Sequence, residues 1–207
     1  VPTAQVLIAP APPADAPNWW FDPRAILDGV VARFGELGLT PVVACELEFY
    51  FVDPKRDAKG MIAPATPARS GRAPEAPRVL AFDKLDEWAG ILAEIDAACV
   101  AQGVPAGAAT AEYGGAQFEV NLGHVADPVR ACDHALMLRR IVKGAAARHG
   151  LDATFMSKPF ADQSGSGLHI HASLVDCAGR NVFDETSPEG DRLLGHAIAG
   201  LQATTYD

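Results

Sequence analysis

Hydrophobic residues recur at helical spacing in three separate stretches of the chain. In the first, Asp22 and Pro23 form a typical helix start, because Asp caps free backbone N–H groups and Pro suits the first helical position. Gly38 marks the end of this helix, since glycine readily adopts the left-handed conformation that terminates helices. The apolar stripe of the helix consists of Ile26, Leu27, Val30, Val31, Phe34 and Leu37.

The other two predicted helices begin with the same kind of signal. Asp83 is predicted to cap a helix that runs to the residue before Gly103. Asp127-Pro128 opens a third helix, which ends near Gly150. The apolar stripe of this third helix is Ala135, Leu138, Ile141, Val142 and Ala145.

Between the helices the hydrophobic period changes from helical spacing to two. From Pro41 to Val52, apolar and polar side chains alternate, so the two kinds of residue face opposite sides of a strand. Further strands are predicted over residues 104–110, 116–123, 152–158 and 167–176. Because strands and helices are interspersed, the expected architecture is an α+β or a mixed α/β sheet with helices on one face.

Residues 53–78 differ from the rest of the chain in composition. They hold six Lys or Arg and five Pro with few large apolar side chains, which predicts a long surface excursion. Such a basic segment is usually only solvated, and direct binding of an anionic substrate is the alternative. The role of this loop therefore stays open.

Bulk composition narrows the class of protein. The chain has 207 residues, 49% of them hydrophobic, which is enough for a packed core. Its net charge of −9 argues against non-specific binding to nucleic acid. No apolar run approaches the roughly 20 residues of a membrane span, and the N-terminus resembles no signal peptide. A protein that binds neither nucleic acid nor membrane is expected.

The four cysteines are far apart and show no metal-binding spacing. Cys45, Cys99, Cys132 and Cys177 form no CxxC pair, so four buried, reduced thiols are the favoured interpretation and disulfides the alternative. Reduced thiols predict a cytoplasmic location.

Candidate chemistry lies on the polar faces of three predicted strands. Two adjacent positions of the first strand's polar face are carboxylates, and the last strand carries two imidazoles and a hydroxyl. The polar-face residues are Glu46, Glu48 and Tyr50 in the first strand, Gln117, Glu119 and Asn121 in the second, and His169, His171 and Ser173 in the third. An ordinary half-exposed sheet also alternates, but solvated faces favour Thr and Lys.

Carboxylates two residues apart on a strand repel each other unless a cation or a proton relieves them. Glu46 and Glu48, joined by Glu119 and by Glu112 upstream, therefore predict a site for a divalent ion. Mg²⁺ and Mn²⁺ prefer carboxylate oxygens, and Mn²⁺ also accepts imidazole. The glycine-containing loop of residues 162–167, just before His169, suits close approach to a ligand, although taken alone it is better explained as a plain turn.

Three ordered motifs carry a resemblance to a known family. The first is Ala44-Cys-Glu-Leu-Glu-Phe-Tyr50, and the second is Glu112-Tyr-Gly-Gly-Ala-Gln-Phe-Glu-Val-Asn-Leu122. The third has two parts, Thr154-Phe-Met-Ser-Lys-Pro-Phe160 and Gly165-Ser-Gly-Leu-His-Ile-His-Ala-Ser-Leu174. In order and spacing they resemble the signatures of glutamine synthetases. Their residues resemble the branch that joins amines to glutamate, the γ-glutamylpolyamine synthetase-like enzymes, more than the core bacterial enzyme that uses ammonia. The resemblance implies a curved, mostly antiparallel sheet with helices on its outer face.

The resemblance also implies an activity. It implies that ATP phosphorylates the γ-carboxylate of glutamate and that ammonia or an amine then displaces the phosphate. Mg²⁺ or Mn²⁺ at two or more sites would neutralise charge during phosphoryl transfer. Glutamate, ATP and ammonia or an amine are thus the implied partners, and a homo-oligomer with active sites at subunit interfaces is implied for the complete protein.

Site residues follow from the resemblance position by position. One implied metal site consists of Glu48, Glu112 and Glu119, and the other includes Glu46 and His169. Substrate glutamate would contact Gly165, Ser164 and His169, while ATP would lie towards His171 and Ser173. No residue of this chain is assigned as a catalytic acid or base, and Gln117 and Asn121 have no assigned role beyond orienting the ligands.

The chain also departs from the family pattern. It stops before the arginine-bearing segments and a further metal-binding glutamate, and Ser164 stands where ammonia-using members often have Asn. Residues 1–21 are predicted to be a lead-in segment after a missing N-terminal β-grasp domain, and residues 22–207 the N-terminal part of a catalytic domain truncated at its C-terminus. The chain alone is expected to be inactive. Three hypotheses remain, namely an amine ligase, an ammonia-using glutamine synthetase and an inactive metal- or nucleotide-binding fragment.

Overall fold

A computed structural model describes residues 21–72 and 78–205 of the chain. The predicted lead-in segment, residues 1–21, therefore lies outside the described residues except for Phe21. The elements in chain order are α1 Pro23–Glu36, β1 Leu39–Val52, α2 Phe82–Gln102, β2 Ala106–Ala111, β3 Gln117–Leu122, α3 Pro128–Arg148, β4 Asp152–Thr154, β5 Leu168–Asp176 and α4 Pro188–Thr204. Within the described ranges, no helix combines the length and the apolar character that crossing a bilayer requires.

The predicted start of α1 is confirmed at atomic level. Asp22 Oδ1 accepts a hydrogen bond of 3.0 Å from the backbone N–H of Arg24, and Pro23 occupies the first turn. Gly38 follows the helix with φ +69°, a left-handed conformation that residues with a Cβ rarely adopt.

The start of α2 differs from the prediction that Asp83 is its N-cap. The cap position is Ala81, which makes no side-chain capping bond, and Asp83 lies in the first turn. Its carboxylate forms an ion pair with Arg78, so it is engaged with the preceding segment instead of the helix N–H groups. The predicted end is confirmed, because Gly103 caps the helix with φ +67°.

The helix α4 was not predicted from the pattern, although its start carries the same signal as that of α1. Ser187 Oγ accepts a hydrogen bond of 3.0 Å from the N–H of Gly190, and Pro188 follows the cap.

Five strands form one open sheet, which confirms the predicted α+β class. The order is β2-β3-β1-β4, and β5 also pairs with β1. β1 pairs antiparallel with β3, β1 with β4, and β2 with β3. The strand predicted at 152–158 ends at Thr154, because the carbonyl of Ser157 accepts instead from the N–H of Ser166, at 2.8 Å, in the glycine-containing loop.

The apolar side of the sheet and the helices α2 and α3 enclose the main hydrophobic core. Aromatic rings dominate its centre: Phe51 stacks on Trp88 with ring centroids 5.1 Å apart, and Phe118 meets Trp88 edge-on at 5.7 Å. Leu138 and Val142 of α3 are completely buried in the same cluster. Packing of both helices on one face of the sheet agrees with the predicted layer arrangement.

Part of the predicted surface excursion is folded back onto the sheet. Ala65 is fully buried, and its N–H donates to the carbonyl of Phe51 at 2.9 Å. An isolated bridge joins Val52 to Pro64. Most described residues of 53–78 are exposed, as a surface excursion predicts, but the prediction does not hold around Ala65, because β1 offers backbone groups there that the segment satisfies. Residues 73–77 lie outside the described residues.

The prediction of four buried cysteines is half correct. Cys45 and Cys99 are buried and Cys132 and Cys177 are exposed, and all four are free thiols. Burial raises the pKa of Cys99 to about 11, so this buried thiol stays protonated at neutral pH.

The chain divides into two compact units. Among the described residues, one comprises 21–43, 125–131 and 171–205, and the other comprises 44–72, 78–124 and 132–170. The first unit carries an apolar groove of about 670 Å³ between α1, the start of β1, the end of β5 and α4. The second contains the core described above and most of the predicted site residues.

Candidate metal centre

Pairing of β1 with β3 brings the predicted carboxylates together on one face of the sheet. Glu48 lies directly opposite Glu119, and Glu46 lies opposite Asn121. Directly opposed residues on antiparallel strands have Cβ atoms about 5 Å apart, so their side chains contact each other. The register therefore brings together carboxylates from β1 and β3, two segments that are far apart in the sequence.

His169 joins this carboxylate face from the first residues of β5. Its Nδ1 lies 3.0 Å from Oε2 of Glu46 and 4.0 Å from Oε2 of Glu119. One ligand atom from each of these three residues can be chosen so that all lie within 4.8 Å of one another. The side chain of Glu119 is 13% exposed and that of His169 is 56% exposed, so the cluster opens to solvent on the histidine side.

Glu112 extends the acidic face from the turn between β2 and β3. Burial, followed by the charges of Glu48 and Glu119, raises the pKa of Glu112. The pKa of Glu119 is raised as well, by burial first and then by Glu46 and Glu48. Asn121 hydrogen-bonds the Glu119 carboxylate and opposes that rise, which agrees with the expectation that it orients a ligand.

Gln117 is completely buried and connects three parts of the site. Its Nε2 donates to Oε2 of Glu48 and to the carbonyl of Gly165, both at 2.9 Å. Its Oε1 accepts from the N–H of Gly114 at 2.9 Å. One amide group thus fixes a candidate ligand, the glycine-containing loop and the turn that carries Glu112.

Lys84 is a charged residue of this region that the sequence pattern did not single out. It is 3% exposed, and its Nζ donates to the carbonyls of Glu112, at 2.7 Å, and Gly114. It also lies 5.1 Å from the centre of the Phe118 ring. Burial, and to a lesser extent Arg78, lowers its pKa to about 8 against the opposing effect of Glu112.

The loop at residues 162–167 is held on the same face by Tyr50. The Tyr50 hydroxyl donates to the carbonyl of Ser164 at 2.7 Å. A Cβ on Gly165 would lie 2.6 Å from the carbonyl oxygen of Ser157, so only glycine fits there without movement of the backbone. A Cβ on Gly167 would lie 2.9 Å from Nε2 of His169 and 3.0 Å from Oε1 of Glu48. These glycines allow the loop to lie against the cluster.

The predicted site residues thus fall into three groups. Glu46, Glu119 and His169 form the compact cluster, and Glu48 and Glu112 adjoin it through Glu119. Ser164 and Gly165 join through the hydrogen bonds of Tyr50 and Gln117. His171 and Ser173, predicted to lie towards ATP, belong to the other compact unit and contribute no atom to the three-residue cluster. Lys158 donates to the carbonyl of Gln163 within its own loop.

This donor set fits a hard divalent cation. Carboxylate oxygens and one imidazole nitrogen converge within coordination reach. Burial first, and then the charges of neighbouring carboxylates, raise the pKa of Glu112 and of Glu119. A cation removes that repulsion, and Mg²⁺ or Mn²⁺ takes oxygen ligands of this kind.

Lys84, which the structure adds, and Gln117, whose partners the structure supplies, both left signals in the sequence. Lys84 lies four positions before Trp88 on a stripe of buried α2 residues, where an apolar side chain is expected. Gln117 is an amide on the strand face that also carries Glu119 and Asn121. Neither signal identifies the partner, because the contacts of Lys84 with Glu112 and of Gln117 with Glu48 span 28 and 69 positions.

Comparison with known proteins yields one consistent family. The glutamine synthetase catalytic domain matches residues 21–207. The chain is 40% identical over 181 residues to a γ-glutamylputrescine synthetase of Escherichia coli, covering 87% of this chain and 38% of that protein. It is 30% identical over 185 residues to a glutamate–isopropylamine ligase of a Pseudomonas species, covering 87% of this chain and 39% of that protein.

A solved structure gives the same result for the fold. The complex of GmaS with ADP superimposes with a TM-score of 0.69 at 32% identity, covering 81% of this chain and 37% of that one. The chain therefore spans about two fifths of the length of the curated relatives named above.

Proposed function

The chain belongs to the glutamine synthetase family, and we propose that the complete protein of which it is part joins an amine to the γ-carboxylate of glutamate with consumption of ATP. The similarity to a γ-glutamylputrescine synthetase and to a glutamate–isopropylamine ligase supports an amine as nucleophile. The observation that carries the proposal is the convergence of Glu46, Glu119 and His169 on one face of the sheet.

The proposed reaction has two steps. A γ-carboxylate oxygen of glutamate attacks the terminal phosphorus of ATP, which releases ADP and leaves an acyl phosphate. The amine nitrogen then attacks the acyl carbon and loses a proton, and inorganic phosphate departs with the electron pair of the C–O bond. The first step brings two anions together, and the second builds negative charge on the acyl oxygen and the departing phosphate. Fixed positive charge therefore favours both steps.

The residues of this chain would hold that positive charge in place. Glu46, Glu119 and His169 would bind a divalent ion, with Glu48 and Glu112 as ligands of a neighbouring one. Mg²⁺ or Mn²⁺, when bound, supplies charge neutralisation at the phosphate oxygens. Gln117 would keep the Glu48 carboxylate pointed into the site, and Tyr50 and Gln117 together would keep Ser164 and Gly165 in position for glutamate. His171 and Ser173 would contact ATP, as the resemblance implies.

Two other functions make different predictions. An ammonia-using glutamine synthetase is supported by the family itself. An inactive metal- or nucleotide-binding protein would still bind a cation at the cluster of Glu46, Glu119 and His169 but would turn over no substrate. We expect the 207-residue chain alone to be inactive, since it supplies only part of the residues that the reaction needs.

Amine-dependent phosphate release separates the three functions. The complete protein, with ATP, glutamate and Mg²⁺ or Mn²⁺, is assayed with putrescine, isopropylamine and ammonia. The concentration of the unprotonated nucleophile is the same in each assay. The proposal expects kcat/KM for at least one alkylamine to exceed that for ammonia. A strict requirement for ammonia would select the glutamine synthetase, and release with none of the three would select the inactive protein.

A pair of carboxylate variants controls the assay. Glu119→Gln removes a candidate ligand, whereas Glu94→Gln removes a carboxylate that is paired with Arg148 and His149 outside the site. We expect phosphate release to fall at least about 100-fold in the first variant, in line with losses seen when metal ligands or electrostatic catalysts are removed, and to persist in the second.

The proposal also covers the cellular compartment and the oligomeric state of the complete protein. Four free thiols support a reducing compartment, and we propose the cytoplasm. A homo-oligomer with active sites between subunits follows from the family resemblance alone. Light scattering of the complete protein at micromolar concentration tests it, and a monomer there would refute the proposed assembly.

A further inference from the structure

We propose that Lys84 is a positioning residue for the metal site, and that it acts by holding the turn that carries Glu112. The inference rests on the proposed metal-binding function and adds a residue of helix α2 to it. Lys84 donates to the two carbonyls that flank Tyr113, those of Glu112 and Gly114. One ammonium group on α2 therefore binds the carbonyls on both sides of Tyr113.

The location of Lys84 argues that its charge has a specific use. It continues the buried stripe of α2 formed by Trp88, Ile91, Ile95 and Cys99, a position that an apolar side chain usually occupies. Burial of an ammonium group is unfavourable unless hydrogen bonds replace the lost water. Here the replacement partners are backbone carbonyls of the turn, and the side chain also lies against the ring of Phe118.

The turn between β2 and β3 depends on a small set of contacts. The N–H of Glu112 donates to the carbonyl of Gln117 at 3.0 Å, and the N–H of Gly114 donates to Oε1 of Gln117 at 2.9 Å. These bonds fix the turn to β3, whereas Lys84 fixes it to the helix. The charges of Glu48 and Glu119 act on the Glu112 carboxylate and repel it. The contacts that fix the backbone of the turn therefore help to keep this carboxylate beside the other two.

Mn²⁺ affinity of the complete protein, followed by electron paramagnetic resonance without nucleotide or substrate, tests the role of Lys84. Lys84→Met keeps an apolar stem of similar length and removes the ammonium group. We expect its affinity for the more weakly held Mn²⁺ to fall about 10-fold, the size of effect that the partners of metal ligands usually have. The activity assay then shows a raised requirement for Mn²⁺ and partial recovery of rate at high Mn²⁺.

Two control variants separate positioning from general stability. Ile95→Val removes a methyl group from the same buried stripe of α2, and Lys143→Met removes an exposed lysine of α3. We expect Ile95→Val to lower the melting temperature with unchanged Mn²⁺ affinity, and Lys143→Met to change neither. If Lys84→Met yields too little folded protein, Lys84→Leu, which also has no donor, gives the same comparison.

The outcomes distinguish this inference from the proposed function. The positioning role would be overturned if Lys84→Met or Lys84→Leu bound Mn²⁺ with the wild-type affinity, even if amine ligation is observed. An affinity loss shared by Ile95→Val would also overturn it, because packing alone would then explain the result. A loss confined to the Lys84 variants supports the role, even if the preferred amine proves to be ammonia.

Discussion

The side-chain amide of Gln117 donates a hydrogen bond of 2.9 Å to the Glu48 carboxylate, and this contact links a completely buried residue of β3 to a candidate ligand on β1. The same nitrogen donates to the carbonyl of Gly165. Gln117 is therefore positioned to orient Glu48 and the loop at the same time. Such a contact restricts the rotamers of a ligand before any metal binds, which lowers the entropy cost of binding.

Gln117→Met should destabilise the protein by about 2–3 kcal/mol. It preserves length but leaves the buried N–H of Gly114 without its acceptor and the Glu48 carboxylate without its donor. Urea denaturation of the metal-free protein measures the change in the free energy of unfolding. Gln102→Met, at the exposed end of α2, is the matched control. A loss in Gln117→Met no larger than in this control would contradict the structural role.

Gly167→Ala should weaken metal binding with little effect on stability. The added methyl carbon would lie 2.9 Å from Nε2 of His169 and 3.0 Å from Oε1 of Glu48, and both side chains can move away at their far ends. We expect Mn²⁺ affinity to fall about 10-fold, as for other changes that misplace ligands. The unfolding free energy should change by less than about 1 kcal/mol.

Gly195→Ala provides the contrasting glycine substitution. A Cβ there meets no atom within 4 Å, and the residue lies in α4. Stability should rise by about 0.5–1 kcal/mol because alanine favours helix, and Mn²⁺ affinity should stay unchanged. Equal Mn²⁺ affinities in the two alanine variants would argue against a site beside Gly167.

Glu119→Gln should raise the melting temperature of the metal-free protein at neutral pH. Burial, Glu46 and Glu48 raise the pKa of Glu119 above its ordinary value of 4.5, so the folded state binds its proton more tightly than the unfolded state does. The protein accordingly loses stability as pH rises from the ordinary pKa through the raised one, and the penalty persists above it. Glutamine carries no charge, retains the size of the side chain and avoids this loss.

Thermal melting between about pH 4 and pH 8 in the presence of a chelator checks this expectation. The difference between Glu119→Gln and the wild type should be small at the acidic end and should grow to a plateau at neutral pH. Added Mn²⁺ should stabilise the wild type more than the variant, because binding to the folded state adds stability in proportion to the logarithm of ligand concentration. A difference that is independent of pH would refute the electrostatic explanation.

Gly114→Ala should destabilise the protein by about 1–3 kcal/mol, because overpacking a closed core forces neighbours to shift. The new methyl carbon would lie 2.1 Å from the Tyr50 hydroxyl oxygen. Tyr50 is fully buried, bonds the Ser164 carbonyl and packs edge-on against Phe160 at 5.2 Å, so its ring cannot move aside.

A double-mutant cycle with Tyr50→Leu tests this cause of the Gly114→Ala effect. Removing the ring should reduce the cost of Gly114→Ala to less than about 1 kcal/mol, which gives a clear interaction energy between the two positions. Urea denaturation of the four proteins provides the values. Simple additivity would show that the clash with Tyr50 is not the source of the destabilisation.

Much of the local structure could be predicted from the sequence. Alternation from Pro41 to Val52 placed Glu46 and Glu48 on one face, and the structure has this strand at Leu39–Val52. Asp22-Pro23 and Gly38 gave the bounds of α1 to within one or two residues. Where prediction failed, a partner outside the predicted element intervened: Asp83 pairs with Arg78 instead of capping, and Ser157 bonds Ser166 instead of extending a strand.

The composition of the site was visible in the sequence, but its arrangement was not. The resemblance separated Glu48, Glu112 and Glu119 from Glu46 and His169. In the structure, Glu119 lies within reach of both sets, since its carboxylate is 4.0 Å from His169 and its charge acts on Glu112. Whether Glu119 is shared between ions depends on this geometry, which the ligand types do not specify.

The sequence by itself determined which side chains share a face, because the twofold period of a strand and the 3.6-residue period of a helix are local properties of the backbone. Only the tertiary structure decided which faces meet. The register that sets Glu48 opposite Glu119, the approach of His169 to Glu46 and the bonds of Lys84 to the Glu112 turn join residues far apart in the chain. Those contacts form because the shared core of the sheet and two helices fixes the strands in one register, and a local pattern carries no record of that packing.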